Sequence, residues 1–165
     1  SEPGKRANIN KVLFEALYCR EYGFRPEVLQ YVCGPMRDQA GYETTHAIWA
    51  LEIARTAGCL TDEASRACLD SLQQELLDGQ PAAFQPAKTL DIDLYGERVL
   101  HLIRTGSTDP RLEGWVQARV DLQAADGSWG VAAAGEDPYF RFHTTGIATW
   151  TLAEWARRAG THPRE

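Results

Sequence analysis

The amino-acid sequence predicts an all-α fold of repeated helix pairs, and three observations carry that expectation. Three segments end alike: Ala54-Arg55-Thr56-Ala57-Gly58, Leu102-Ile103-Arg104-Thr105-Gly106 and Ala156-Arg157-Arg158-Ala159-Gly160. Each places Arg in the last helical turn, where it suits the negative end of the helix dipole, and stops at Gly, which takes a left-handed C′ conformation without a Cβ clash. Each Gly is followed by a new helix-start pattern: Thr61-Asp62-Glu63, Thr108-Asp109-Pro110-Arg111 and Thr161-His162-Pro163-Arg164. Finally, no alternating β-branched run marks a strand. Self-similarity of this length means stacked supersecondary units. The 165 residues are expected to form one α/α-repeat domain over 1–165, with helix pairs at roughly 9–58, 62–106 and 110–160 and about seven or eight helices in all. The chain stops at Glu165, where either another helix of a longer protein begins or the array ends.

Leu13, Ala16, Leu17 and Arg20 follow helical spacing near the N-terminus; Gly23 to Pro26 breaks the run, and Pro26 opens the next helix, which Gly34-Pro35 ends. Helix 44–57 (from Thr44-Thr45-His46) and helix 144–159 are apolar nearly all round, which implies burial on most sides. Helices 62–78 and 110–124 are amphipathic, with stripes of Leu69, Leu72, Leu76 and of Leu112, Val116, Val120. Helix 91–105 is intermediate, with Glu97, Arg98 and Arg104 on its wet side and His101 on a partly exposed face. The pattern implies outer amphipathic helices around buried inner ones.

Composition excludes some functions. The net charge of −6 argues against a nucleic-acid partner, which needs a basic footprint. Arg55, Arg66, Arg98, Arg104, Arg119, Arg157 and Arg158 are spaced as solvated helix faces. No apolar run has the length of a membrane span. Cys19, Cys33, Cys59 and Cys68 form no C-x-x-C pair, so a zinc knuckle or redox dithiol is not expected. They read either as two disulfides, a Cys59–Cys68 bridge being sterically possible, or as four small buried hydrophobes, and the compartment stays open between export and cytoplasm.

Leu122-Gln123-Ala124-Ala125-Asp126-Gly127-Ser128-Trp129-Gly130 resembles the QW motif of squalene and terpene cyclases, and its Asp-Gly-Ser-Trp part is similar to the loop of protein prenyltransferase β-subunits. The resemblance covers about 110–160 clearly and 43–106 more weakly. It implies a partial α/α toroid, the repeated helix pairs running antiparallel. Gln123, Asp126, Gly127 and Trp129 are the structural motif: Gln123 hydrogen-bonds the loop, Asp126-Gly127 makes a tight turn with positive φ, and Trp129 lies across neighbouring helices. Asp91-Ile92-Asp93-Leu94 matches the start of the cyclase Asp-x-Asp-Asp acid motif and lacks its last aspartate. No Asp-Asp-x-x-Asp magnesium motif and no prenyltransferase zinc set is recognisable, so no cofactor and no metal is expected.

Parallel inner helices place their N-termini at one mouth. That gathers Asp93, Asp91 and His46 as candidate catalytic residues, with Glu43, Tyr42, Tyr95, Tyr139 and His143 as candidate ligand-binding residues and Phe142 as a further wall. Against this, Asp91, Asp93, Thr44 and Thr144 also read as helix caps, His46 and His143 as hydrogen-bonded structural residues, and Trp49, Trp115, Trp150 and Trp155 as core. The expected function is a binding module for a small molecule, a glycan or a protein partner, with a homodimer as one way to cap a half-array. The alternative is an enzyme, an acid-assisted isoprenoid cyclase or a carbohydrate-active protein, using Asp91 or Asp93 and the histidines.

Overall fold

A computed structural model describes residues 9–37, 40–81, 89–130 and 138–161. Among them the chain is all-helical, with eight helices: α1 Ile9–Leu17, α2 Cys19–Tyr22, α3 Pro26–Cys33, α4 Tyr42–Thr56, α5 Glu63–Gly79, α6 Thr89–Arg104, α7 Leu112–Asp121 and α8 Pro138–Thr161. Most of the expected connection at 79–89, and the tail expectation from His162 onward, lie outside the described residues. No described helix is long and apolar enough to cross a membrane. The chain divides into two compact units, residues 1–79 and 80–165, each described on its own terms below.

In the first unit α5 folds back along α4: Thr44 meets Glu75 at one end and Arg55 meets Ser65 at the other. Gly58 makes the turn with φ +78°, as its helix-ending pattern predicts. Asp62 then caps α5 by accepting a 2.8 Å bond from Ser65 N–H. Ala47, Ile48, Ala50, Leu51 and Ala54 of α4 and Leu72 and Leu76 of α5 are fully buried. In α1 the buried face is Val12 and Ala16, whereas Leu17 is 62% exposed, contrary to the expected stripe.

Two disulfides staple this unit, Cys19–Cys59 and Cys33–Cys68. Of the two readings of the cysteines, the structure has the disulfides, and it corrects the possible Cys59–Cys68 pairing: the links tie α2 to the α4–α5 turn and α3 to α5. Cys19 begins α2 beside the α4–α5 turn, where Arg20 Nε also donates to Ala57 O at 2.8 Å.

Glu75 ties the unit's other end together. Its carboxylate accepts from Ala40 N–H (2.8 Å), Thr44 Oγ1 (2.7 Å) and Arg37 Nε (2.6 Å). Burial alone raises its pKa, but the bonds from Thr44, Ala40 and Arg37 outweigh that and hold it below the ordinary 4.5. A depressed folded value gives stability that is present above the unfolded pKa and lost as pH falls through the folded one. Glu75→Gln is expected to cost about 1–2 kcal/mol at pH 7. Urea titrations should show that difference shrinking as the pH is lowered below 4; a difference that persists unchanged in acid rules the charge out.

In the second unit α7 folds back along α6, with Tyr95 opposite Trp115 and Ile92 opposite Arg119. Helix α8 lies beside α6 with their N-terminal ends together: Thr144 meets Asp93, Arg104 meets Glu154, and Arg158 meets Ser107. Gly106 turns the chain with φ +78°, and Gly160 is the second-last residue of α8 as described.

The 123–129 loop behaves as its residues suggest. Gln123 Nε2 donates to Gly127 O at 2.9 Å, Gly127 has φ +84°, and Asp126 Oδ1 accepts from Ser128 N–H and Oγ. Trp129 is 5% exposed and packs with Ile92 and Ala148. Its Nε1 donates to Arg119 O at 2.7 Å. One indole thus touches α6, α7 and α8, which holds the N-terminal ends of α6 and α8 in register.

Several burial expectations are corrected here. Arg119, expected on a solvated face, is 0% exposed, and Val120, expected in the stripe, is 41% exposed. Glu97 and His101 are buried rather than wet. Helix α8 is fully buried at Thr144, Ala148 and Thr151 while Gly146, Thr149, Ala153 and Ala156 are exposed, so it is not covered on most sides. Trp115 is core, but Trp49, Trp150 and Trp155 are half-buried, with Arg104 over the Trp150 ring at 4.8 Å and Arg158 over Trp155 at 5.7 Å.

Candidate functional site

The two units divide the expected site residues. Tyr42, Glu43 and His46 belong to the first; Asp91, Asp93, Tyr95, Tyr139 and His143 belong to the second.

His46 is bonded within its own helix. It sits in the first turns of α4, and its Nδ1 donates to Tyr42 O at 2.8 Å. Its ring meets Tyr42 and Trp49 on the same helix, at 6.3 and 6.1 Å between centroids. Tyr42 and Glu43 open that helix after Gly41.

The second unit brings chemistry together. Helix α8 starts at Pro138, six residues before the Thr144 start that the sequence suggested, so His143 lies inside the helix rather than capping it. Asp93 lies inside α6, which begins at Thr89, and likewise caps nothing at the helix start. His143 Nδ1 lies 2.9 Å from Asp93 Oδ1, and Thr144 Oγ1 donates to the same oxygen at 2.9 Å. The Asp93 side chain is 3% exposed and that of His143 36%. A buried carboxylate thus fixes a histidine whose other edge reaches water. Such a partner fixes the tautomer, with Nδ1 carrying the proton and Nε2 free to accept. The bond from Asp93 raises the His143 pKa above its ordinary 6.5, against the opposing effect of partial burial, with the charges of Asp93 and Glu97 adding to the rise.

One aromatic ring lies against His143. Tyr139, one turn earlier, stacks on the imidazole with 6.2 Å between centroids and 28° between planes. Tyr139 is 63% and Phe142 78% exposed, and Phe140 meets Tyr139 edge-on at 5.9 Å. Asp91 is half-buried in the first turn of α6. Tyr95 turns the other way: its hydroxyl donates to Trp115 O at 3.2 Å, and burial pushes its pKa up to about 12.

Sequence reasoning missed the groups behind this pair. Glu97 follows Asp93 by one turn and is 5% exposed. Arg119 reaches in from α7, its Nη1 donating to Ile92 O at 2.6 Å and its Nη2 to Thr144 O at 2.9 Å. Burial lowers its pKa to about 10, the nearby charge of Asp93 opposing that fall. Gly96 makes room for it: a Cβ there sits 2.6 Å from Arg119 Cζ. Two signals were available. Arg119 shares helical spacing with the buried Leu112, Trp115 and Val116, and Gly96 interrupts an otherwise good helix.

A separate concavity of about 480 Å³ lies in the first unit, lined by Asn10, Phe14, Glu15, Tyr18, Tyr22 and Arg25 among others. It presents ring faces, but its main charges close on each other: the Arg25 fork grips the Glu15 carboxylate, Nη2 to Oε2 at 2.6 Å. Among the described residues, three histidine and carboxylate side chains gather within 4.8 Å of one another at α6 and α8, so the candidate site is placed there. No family model, no curated protein and no solved structure matches this chain.

Proposed function

We propose that this chain is a ligand-binding helical-repeat module, a partial α/α toroid of antiparallel helix pairs similar to the terpene-cyclase kind, whose site lies at the N-terminal ends of α6 and α8. The observation that carries it is the half-exposed His143, held from behind by buried Asp93 and stacked on exposed Tyr139. Exposed ring faces beside an oriented hydrogen-bonding edge suit a glycan, whose C–H faces stack on aromatics while its hydroxyls take polar partners. The two disulfides favour an oxidising, exported setting, where glycans abound.

The test is an amide NMR titration of the whole chain with a panel of soluble oligosaccharides. One member is expected to shift resonances around 93–97 and 139–147, with at least a tenfold loss of affinity in Tyr139→Ala and His143→Ala. A panel that perturbs none of these, or binding indifferent to both substitutions, removes the reading.

A second reading is favoured by the Asp93–His143 bond itself. A carboxylate that orients an imidazole is the arrangement of a general acid–base catalyst. Turnover of a bound glycan, abolished by Asp93→Asn with binding retained, distinguishes an enzyme from a module.

A further inference from the structure

We propose that Asp93, Glu97 and His143 form a site for one first-row divalent cation such as Zn²⁺ or Mn²⁺. It deepens the reading of this corner as the ligand site, and it stands or falls on cation binding alone.

The donor set is one imidazole and two carboxylates, from two helices, and ligation replaces the proton that His143 Nδ1 shares with Asp93. One ligand atom from each residue lies within 4.8 Å of the other two. Atoms bound at about 2.0–2.2 Å to a shared ion sit roughly 3.3 Å apart, so side-chain adjustments of a few tenths of an ångström to about 1 Å bring the three to ligating distance. Asp93 and Glu97 are four apart on α6, the spacing that stacks two side chains on one helix face. His143 enters from α8, whose register against α6 is set by Thr144 on Asp93.

The charge of the two buried carboxylates suits a cation. Asp93 and Glu97 are 2% and 5% exposed, and burying two like charges together is unfavourable without nearby positive charge. Arg119, its Nη1 and Nη2 bonded to the Ile92 and Thr144 carbonyls, and protonated His143 supply such charge in the absence of an ion. A divalent cation balances the pair directly. The imidazole and carboxylate donors suit zinc, manganese, iron or cobalt; the single nitrogen and the buried, compact cage suit calcium less, since calcium takes six to eight oxygens.

The test is calorimetric titration of the chelator-stripped full chain with ZnCl₂, beside Glu97→Gln and His143→Ala. One Zn²⁺ per chain is expected, with affinity at least tenfold weaker in each variant of unchanged far-UV dichroism. No uptake by the wild type, or uptake that both variants retain, overturns the proposal. Should the variants not fold, Mn²⁺ added to the wild type decides the matter through paramagnetic broadening of histidine ring signals. Strongest broadening at His143 supports the site; strongest broadening at His46 or His162 overturns it. Zinc binding without oligosaccharide binding keeps this site and removes the glycan reading, and the converse removes only the cation.

Discussion

Arg119→Ala is expected to destabilise the second unit by about 3–5 kcal/mol, because removing one partner of a buried charge cluster leaves the other uncompensated. Arg119 is fully buried, and its guanidinium bridges a carbonyl of α6 to one of α8. Losing it leaves Asp93 without its nearby cation, leaves Ile92 O and Thr144 O short of a donor, and opens a cavity beside Trp129. Arg119→Lys keeps the charge but cannot reach two carbonyls with one fork, so about 1–3 kcal/mol should still be lost. Gly96→Ala approaches the same point from the opposite helix, since the added methyl meets the guanidinium at 2.6 Å. Overpacking of this kind costs about 1–3 kcal/mol. Urea unfolding followed by tryptophan fluorescence checks all three; a loss below about 1 kcal/mol for Arg119→Ala contradicts the bridging role.

Reducing the disulfides is expected to have an effect of similar size in the first unit. The bridges span sequence separations of 40 and 35 residues, and loops of that length are worth about 4 kcal/mol each in the chain-entropy model. A unit of 79 residues has little core to spare, so such staples decide whether it stays folded. Hydrogen exchange in the presence of a phosphine reductant should show faster exchange across α1, α3, α4 and α5. The second unit holds no cysteine, and its α6–α8 amides should keep their protection. Unchanged protection of α4 and α5 after complete reduction contradicts the stapling.

The helix ends at Gly58 and Gly106 were legible because a left-handed C′ glycine is a local requirement, set by the backbone and independent of partners. The turn within the Gln123–Trp129 loop was legible for the same reason, its internal bonds running over a few residues, whereas its ties to Arg119, Arg141 and Thr145 reach other helices. The start of α8 was also written in the chain: Asp137-Pro138 repeats the helix-start pattern of Asp109-Pro110. The Thr144-Thr145 pair drew attention away from it by offering a plausible cap. What stayed illegible was the burial of charge. Glu97, His101 and Arg119 look like solvated residues because composition places them so, and only partners from other helices reverse that. Asp93 and His143 were visible as candidates, but their meeting depends on how α6 and α8 lie side by side, which no local rule supplies. The cysteine pairing was illegible too, since four cysteines allow three connectivities and sequence alone does not choose.

The most direct measurement is an NMR titration of the His143 ring in the wild type and in Asp93→Asn, with a chelator present. Asp93 behind His143 stabilises the imidazolium, so the wild-type pKa should lie above the ordinary 6.5. It should fall back toward or below that value in Asp93→Asn, where the charge is gone and burial remains. An ordinary wild-type value, unmoved by the substitution, contradicts the pairing of the buried carboxylate with the exposed histidine and with it the candidate site.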